Sequence, residues 1–104
     1  MKNETYSHEI TTALAAHGID AEPGSTGGGC HALWVSVGDR NVLATNGDHE
    51  LPDRDCVYVT VERDGESEAL AEREVHTGDL THEDALARAV ETITDMVRIA
   101  KTID

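Results

Sequence analysis

The stretch CVYVTVER, residues 56 to 63, alternates strictly between apolar and polar side chains. Successive side chains of a strand point to opposite faces. The spacing therefore predicts a half-buried β-strand with Val57, Val59 and Val61 inward and Tyr58, Thr60 and Glu62 outward. HALWVSV, residues 31 to 37, repeats the pattern, with Leu33, Val35 and Val37 on one side and Ala32, Trp34 and Ser36 on the other. GDRN then reads as a hairpin turn and VLAT as the returning strand. Strands that are apolar on one face only need a second layer to cover that face.

The two ends of the chain supply that layer. In THEDALARAVETITDMVRIAKTI, which begins at Thr81, the residues Leu86, Val90, Ile93, Val97 and Ala100 recur at helical spacing, and Ala89, Met96 and Ile103 widen the stripe. Thr81 is placed as N-cap, with Asp84 positioned to complete a capping box. The stripe is expected to bury against the sheet or, in a homodimer, against a partner subunit. NETYSHEITTALAAHG also reads as a helix, capped by Asn3, with Tyr6, Ile10, Ala13, Leu14 and His17 on one face and Gly18 as its stop. IDAEPGSTGGG reads as a bend, and the Asp64-Gly65 pair as a further hairpin. SEALAEREVH, residues 67 to 76, fits a strand or a helix, and the turn before it favours a strand. Aromatic residues are Trp34, Tyr6 and Tyr58 alone, so the core must be aliphatic. The 104 residues suit one domain, 1-104. The fold expected is α+β: a small antiparallel meander of three or four strands, flanked by N- and C-terminal helices packed on one face.

Charge restricts the partners. The chain carries 21 acids against 8 bases, a formal net charge of -13. Direct nucleic-acid binding needs a basic footprint and is excluded as the leading reading. Anionic membranes repel such a chain. The acids are uneven: residues 47 to 84 hold thirteen of them with three bases, whereas residues 85 to 104 hold three of each. The N-terminus MKNETYSHEI has no apolar run, so a cytoplasmic protein is expected, with Cys30 and Cys56 reduced. The Arg-, Asp-, Thr- and Ala-rich bias suits a GC-rich genome.

GSTGGGCHALW, residues 24 to 34, raises a chemical question. A phosphate loop must follow a strand, open a helix and carry Lys, and here no Lys follows and a strand comes next. Gly27, Gly28 and Gly29 are therefore read first as a tight turn with positive φ, and Cys30 as a buried structural thiol. An anion nest at Gly27 to Cys30 is the sharper alternative. Cys30 and His31 are adjacent and point to opposite faces of a strand, so they form no nucleophile and base pair. The loop from Asn46 to Asp55 offers the hard oxygens of Asn46, Asp48, Glu50, Asp53 and Asp55, without the spacing of an EF-hand. His8, His17, His76 and His82 have no metal-binding spacing, and no catalytic set or cofactor motif emerges.

STGGGCHAL followed by LATNGDHELP resembles a pattern in uncharacterised small proteins of actinobacteria, haloarchaea and their viruses. There a Thr-Gly-Gly-Gly-Cys run precedes a strand and a Thr-Asp-Gly-Asp stretch follows it. Thr26 to Cys30 match the first part, and Thr45, Gly47, Asp48, Leu51 and Pro52 the second, while Asn46 stands in place of Asp. The resemblance implies a hairpin-centred domain of viral or mobile-element origin, with the glycine loop beside the Asn46 to Asp48 turn. It implies no activity.

The function expected from these features is that of a non-enzymatic binding protein. Its acidic surface would engage a basic surface of a partner protein through Asp48, Glu50, Asp53, Asp55, Glu62, Asp64, Glu66 and Glu68, with mimicry of a nucleic-acid backbone as the narrow form. One alternative is a small-ligand or metal-binding module, or an enzyme, centred on the Gly27 to Cys30 and Asn46 to Asp55 loops. Another is a halophilic structural or assembly factor whose acidity answers to salt.

Overall fold

A computed structural model of the chain describes residues 2–27, 30–46, 51–52, 56–63 and 69–102. Among them the element order is α1 (Lys2–Ala16), β1 (Glu22–Gly27), β2 (Cys30–Val37), β3 (Arg40–Thr45), β4 (Cys56–Arg63), β5 (Ala69–His76) and α2 (His82–Thr102). The strands form one sheet in the order β1-β2-β3-β4-β5, and each neighbouring pair is antiparallel. The expected meander of three or four strands thus has five, and residues 69 to 76 are a strand.

The additional strand is β1. Its sequence EPGSTG lacks the β-branched and aromatic residues that favour strands, apart from one Thr, which is why a bend was expected there. Pairing with β2 organises it, with Glu22 opposite Trp34 and Gly27 opposite Cys30. Pro23 is tolerated because an edge strand has one side without ladder hydrogen bonds. The register slips between Ser25 and Gly27, a bulge of the kind found on sheet edges.

The core lies between the sheet and the helices. Leu33, Val35, Val42, Ala44, Val57, Val59 and Val61 meet Tyr6, Ile10 and Leu14 of α1 and Ala89, Ile93, Met96 and Ala100 of α2. Cross-strand pairs hold the apolar row in line: Val35 opposite Val42, and Val42 opposite Val61. Helix α2 packs across β2 to β5, and α1 packs against α2, so both helices cover the same face.

The helix ends follow their capping chemistry. The Thr81 hydroxyl accepts a hydrogen bond from the Asp84 N–H at 3.1 Å, and Glu83 and Asp84 sit in the first turn, where the helix dipole favours acids. Helix α1 stops in a Schellman turn: Gly18 has φ 77, its N–H donates to the Ala15 carbonyl, and the Ile19 N–H donates to Leu14. Ile19 then packs on the core beside that turn. Three expectations are corrected here. Asn3 lies inside α1 rather than capping it, His17 is exposed in the turn, and Leu86 is only partly buried because Ala85 and Ala89 carry the centre of the stripe. Ile103 lies outside the described residues. Thr92, polar and buried, is satisfied by donating to the Arg88 carbonyl at 2.8 Å.

The expected GDRN turn is a two-residue hairpin loop: Val37 pairs with Arg40, and Gly38 has φ 62, the left-handed conformation that primed turns require. No helix among the described residues is long and apolar enough to cross a membrane.

Candidate functional site

The face of the sheet turned away from the helices carries the chemistry. Strand alternation and register place Glu22 and Gly24 of β1 on it, with Ala32, Trp34 and Ser36 of β2 and Asn41, Leu43 and Thr45 of β3. They are joined by Cys56, Tyr58, Thr60 and Glu62 of β4 and by Glu72, Glu74 and His76 of β5. Trp34 is half-buried and lies across Gly24, so closely that a Cβ on Gly24 would sit 2.8 Å from its Cδ1. The indole thereby closes the space that glycine leaves open.

Charge is sorted by strand parity. Among the described strand residues, Glu22, Glu62, Glu72 and Glu74 face outward, whereas Arg40, Arg63 and Arg73 lie on the helix side. Arg40 and Arg73 have partners on α2. Arg40 Nη1 donates to the Ala100 carbonyl of α2 at 3.3 Å, and Arg73 lies 4.0 Å from the Asp95 carboxylate. The outer face of the strands is left acidic because the strand arginines lie on the other side of the sheet.

At the centre of the acidic side, the Tyr58 hydroxyl donates to Glu72 Oε2 at 2.6 Å. That hydrogen bond, burial, and the charges of Glu72, Glu74 and Glu62 raise the phenol above its ordinary value of 10.0. Tyr58 is therefore a neutral hydrogen-bond donor among carboxylates. Burial pushes the Glu62 carboxyl above its ordinary 4.5, and a hydrogen bond with Thr60 offsets part of the effect.

At the far end of β4 and β5 a second group converges. Cys56 and His76 are directly opposite, and Glu74 is the diagonal neighbour of Cys56. Glu74 Oε2 is 3.9 Å from Cys56 Sγ, and Glu74 Oε1 is 3.2 Å from His76 Nε2. One ligand atom from each of the three side chains lies within 4.8 Å of the others. Cys56 is a thiol and not half of a disulfide. Twenty positions separate Cys56 from His76, so no local spacing signals the group; only the β4–β5 register brings it together.

The residues expected to form the site are distributed differently. Of the eight partner-binding acids, Glu62 falls on the acidic face, whereas Asp48, Glu50, Asp53, Asp55, Asp64, Glu66 and Glu68 lie outside the described residues. Gly28, Gly29 and the Asp64-Gly65 turn also lie outside them, as does the expected contact of the glycine loop with the Asn46 to Asp48 turn. Gly27 ends β1 and Cys30 opens β2, so the glycine run connects two antiparallel strands. It is not the strand-to-helix junction that a phosphate loop uses. A depression of about 410 Å³ beside this hairpin is lined by Ser7, His8 and Thr11 of α1 with Pro23, His31 and Leu51. Glu72, Glu74, Tyr58 and His76 are the site residues that sequence reasoning passed over. Their signal was the alternation of EREVH, which carries two acids and a histidine to the outer face of a strand.

No family model matches this chain, and no curated protein or solved structure matches it either.

Proposed function

We propose that this protein is a non-enzymatic binding protein whose acidic outer sheet face engages a basic surface of a partner protein. The observation that supports the reading is the sorting of charge across the sheet: Glu22, Glu62, Glu72 and Glu74 outward, Arg40, Arg63 and Arg73 on the helix side. A chain that was acidic only to remain soluble in salt would gain nothing from separating its strand charges by face. Trp34 and Tyr58 stand on the same face, and half-buried aromatics among carboxylates suit Arg and Lys side chains through cation–π and hydrogen-bond contacts. Like charges on one surface also speed encounter with an opposite patch.

The test compares two charge reversals of equal size. One chain carries Glu62→Lys and Glu72→Lys on the sheet face. The other carries Glu83→Lys and Glu91→Lys on α2. Both are measured against an arginine-rich peptide and against proteins retained from host lysate, at low and high salt. The sheet-face chain should lose association rate steeply while the α2 chain keeps most of it, and salt should weaken the parent complex. Equal losses in both chains would show that binding follows net charge alone and would end this reading. A parent chain that folds only in concentrated salt would favour the halophilic alternative. Competition by duplex DNA for the retained protein would support the narrower form, mimicry of a nucleic-acid backbone.

A further inference from the structure

We infer that Cys56, Glu74 and His76 form a binding site for a zinc-class divalent cation on the outer face of β4 and β5. The donor set decides the class of ion. A thiolate, an imidazole nitrogen and one carboxylate oxygen are the ligands zinc accepts, whereas calcium and magnesium call for oxygen alone. The geometry is close to what the ion needs. With bonds of about 2.0–2.3 Å, the ligand atoms of a tetrahedral zinc stand roughly 3.3–3.8 Å apart. Here the thiol–carboxylate and carboxylate–imidazole separations are 3.9 and 3.2 Å, and the whole triad falls within 4.8 Å.

The backbone favours the site as well. Cys56 and His76 are paired residues of a regular antiparallel ladder, and the register shift in this pair of strands lies at its other end, between Val61 and Glu62. Strand residues hold their side chains in a fixed relation, so little ordering is left for the ion to impose. Glu72 stands on the same face and adds a field that attracts a cation.

Binding has a definite proton balance. The Cys56 thiol gives its proton to solvent as the sulfur–metal bond forms, and the thiolate and the Glu74 carboxylate together neutralise the ion. His76 binds through Nε2 as neutral imidazole, with its remaining proton on Nδ1. Glu74, which faces Nε2 across 3.2 Å, changes from hydrogen-bond partner to ligand. Three protein ligands leave one tetrahedral position for water or for a donor brought by a partner. This site stands apart from the charge reading, since ion binding is measured on the isolated chain and the reversals above leave Cys56, Glu74 and His76 in place.

The experiment is a zinc titration of the reduced full chain by calorimetry and chelator competition, repeated with cobalt(II) as an absorbing probe. The parent should bind one ion, release protons, and show the thiolate-to-cobalt charge-transfer band of a tetrahedral site. Cys56→Ser and His76→Gln should each weaken zinc at least tenfold and abolish that band. Glu74→Gln should weaken zinc but keep the band. Cys30→Ser and His8→Gln should leave both unchanged. All variants are checked for parental thermal unfolding, and since the three side chains are half-buried or exposed, folding should survive. The inference is overturned if the parent binds no zinc. It is also overturned if Cys56→Ser binds as the parent does, if Cys30→Ser or His8→Gln removes the ion, or if excess magnesium displaces it.

Discussion

The two faces of this sheet are made by the same strands and follow different chemistry. On β4 the residues Val57, Val59 and Val61 are fully buried under the helices, while Cys56, Tyr58, Thr60 and Glu62 between them face outward and are only partly covered. The helix-facing side is aliphatic, with Arg40 and Arg73 tied to α2. The outer side holds acids, a thiol, an imidazole and two aromatic rings. Alternation makes this division possible, because a step of one residue changes face and environment together. The inner face is therefore expected to govern stability, and the outer face to govern binding with little effect on stability.

The sharpest test uses adjacent positions. Val59 is wholly buried and Thr60 is half-exposed on the opposite face. Val59→Asp places a charge in an aliphatic core with no partner, a cost of several kcal/mol against a total stability of about 5–15 kcal/mol for a domain of this kind. The chain should not fold, and Val90→Asp on α2 should behave the same way. Thr60→Lys, which sets a charge of the opposite sign across from Glu72, should unfold with nearly the parental midpoint. Denaturant unfolding followed by circular dichroism distinguishes the two. A folded Val59→Asp chain, or an equal loss in Thr60→Lys, would break the division of labour between the faces.

A smaller effect is expected where the outer face has packing of its own. Gly24 lies under the Trp34 ring, with room for no Cβ. The buried indole N–H makes no hydrogen bond among the described residues, so packing alone holds the ring. Gly24→Ala should displace it and cost about 1–3 kcal/mol through overpacking. The same change in a Trp34→Leu background should cost much less, which a double-mutant cycle measures. Trp34 is the only tryptophan, so its fluorescence reports the displacement directly. If the cycle shows no coupling, the Trp34 ring does not depend on the space at Gly24 and this packing argument is wrong.

How much of this was legible in the sequence follows from the range of the signals. The alternation of CVYVTVER and HALWVSV and the four-three stripe of α2 are local, and local periodicity is what a sequence displays. Both helices and the inward residues of β2 and β4 could be read for that reason. Strand β1 could not, because its residues favour a turn and the strand exists through its partner. The same holds for the Cys56, Glu74 and His76 group, which depends on the register of two strands, and for the sorting of Glu from Arg by parity. The parity is present in the sequence of residues 69 to 76 read as a strand, but its meaning depends on which face the helices cover.

The smallest effect concerns Glu62, and it separates two causes of strain on the acidic face. Its carboxyl is raised above 4.5 by burial. A raised carboxyl means that the folded state holds the proton more tightly than the unfolded state. Stability is then lost as pH rises from the unfolded value through the folded one, and the loss persists at neutral pH. Glu62→Gln removes the ionisation while its amide oxygen can still accept from Thr60. The variant should match the parent in acid, below the carboxylate range, and should become the more stable of the two as pH rises past 4.5. Salt identifies the cause. Repulsion from Glu72 and Glu74 would fade with screening, whereas the cost of burying a charge would not. Thermal unfolding of both chains across that pH range, at low and high salt, should show an advantage for Gln that salt leaves intact. An advantage that vanishes in salt would mean that crowding of like charges, and not burial, strains this face.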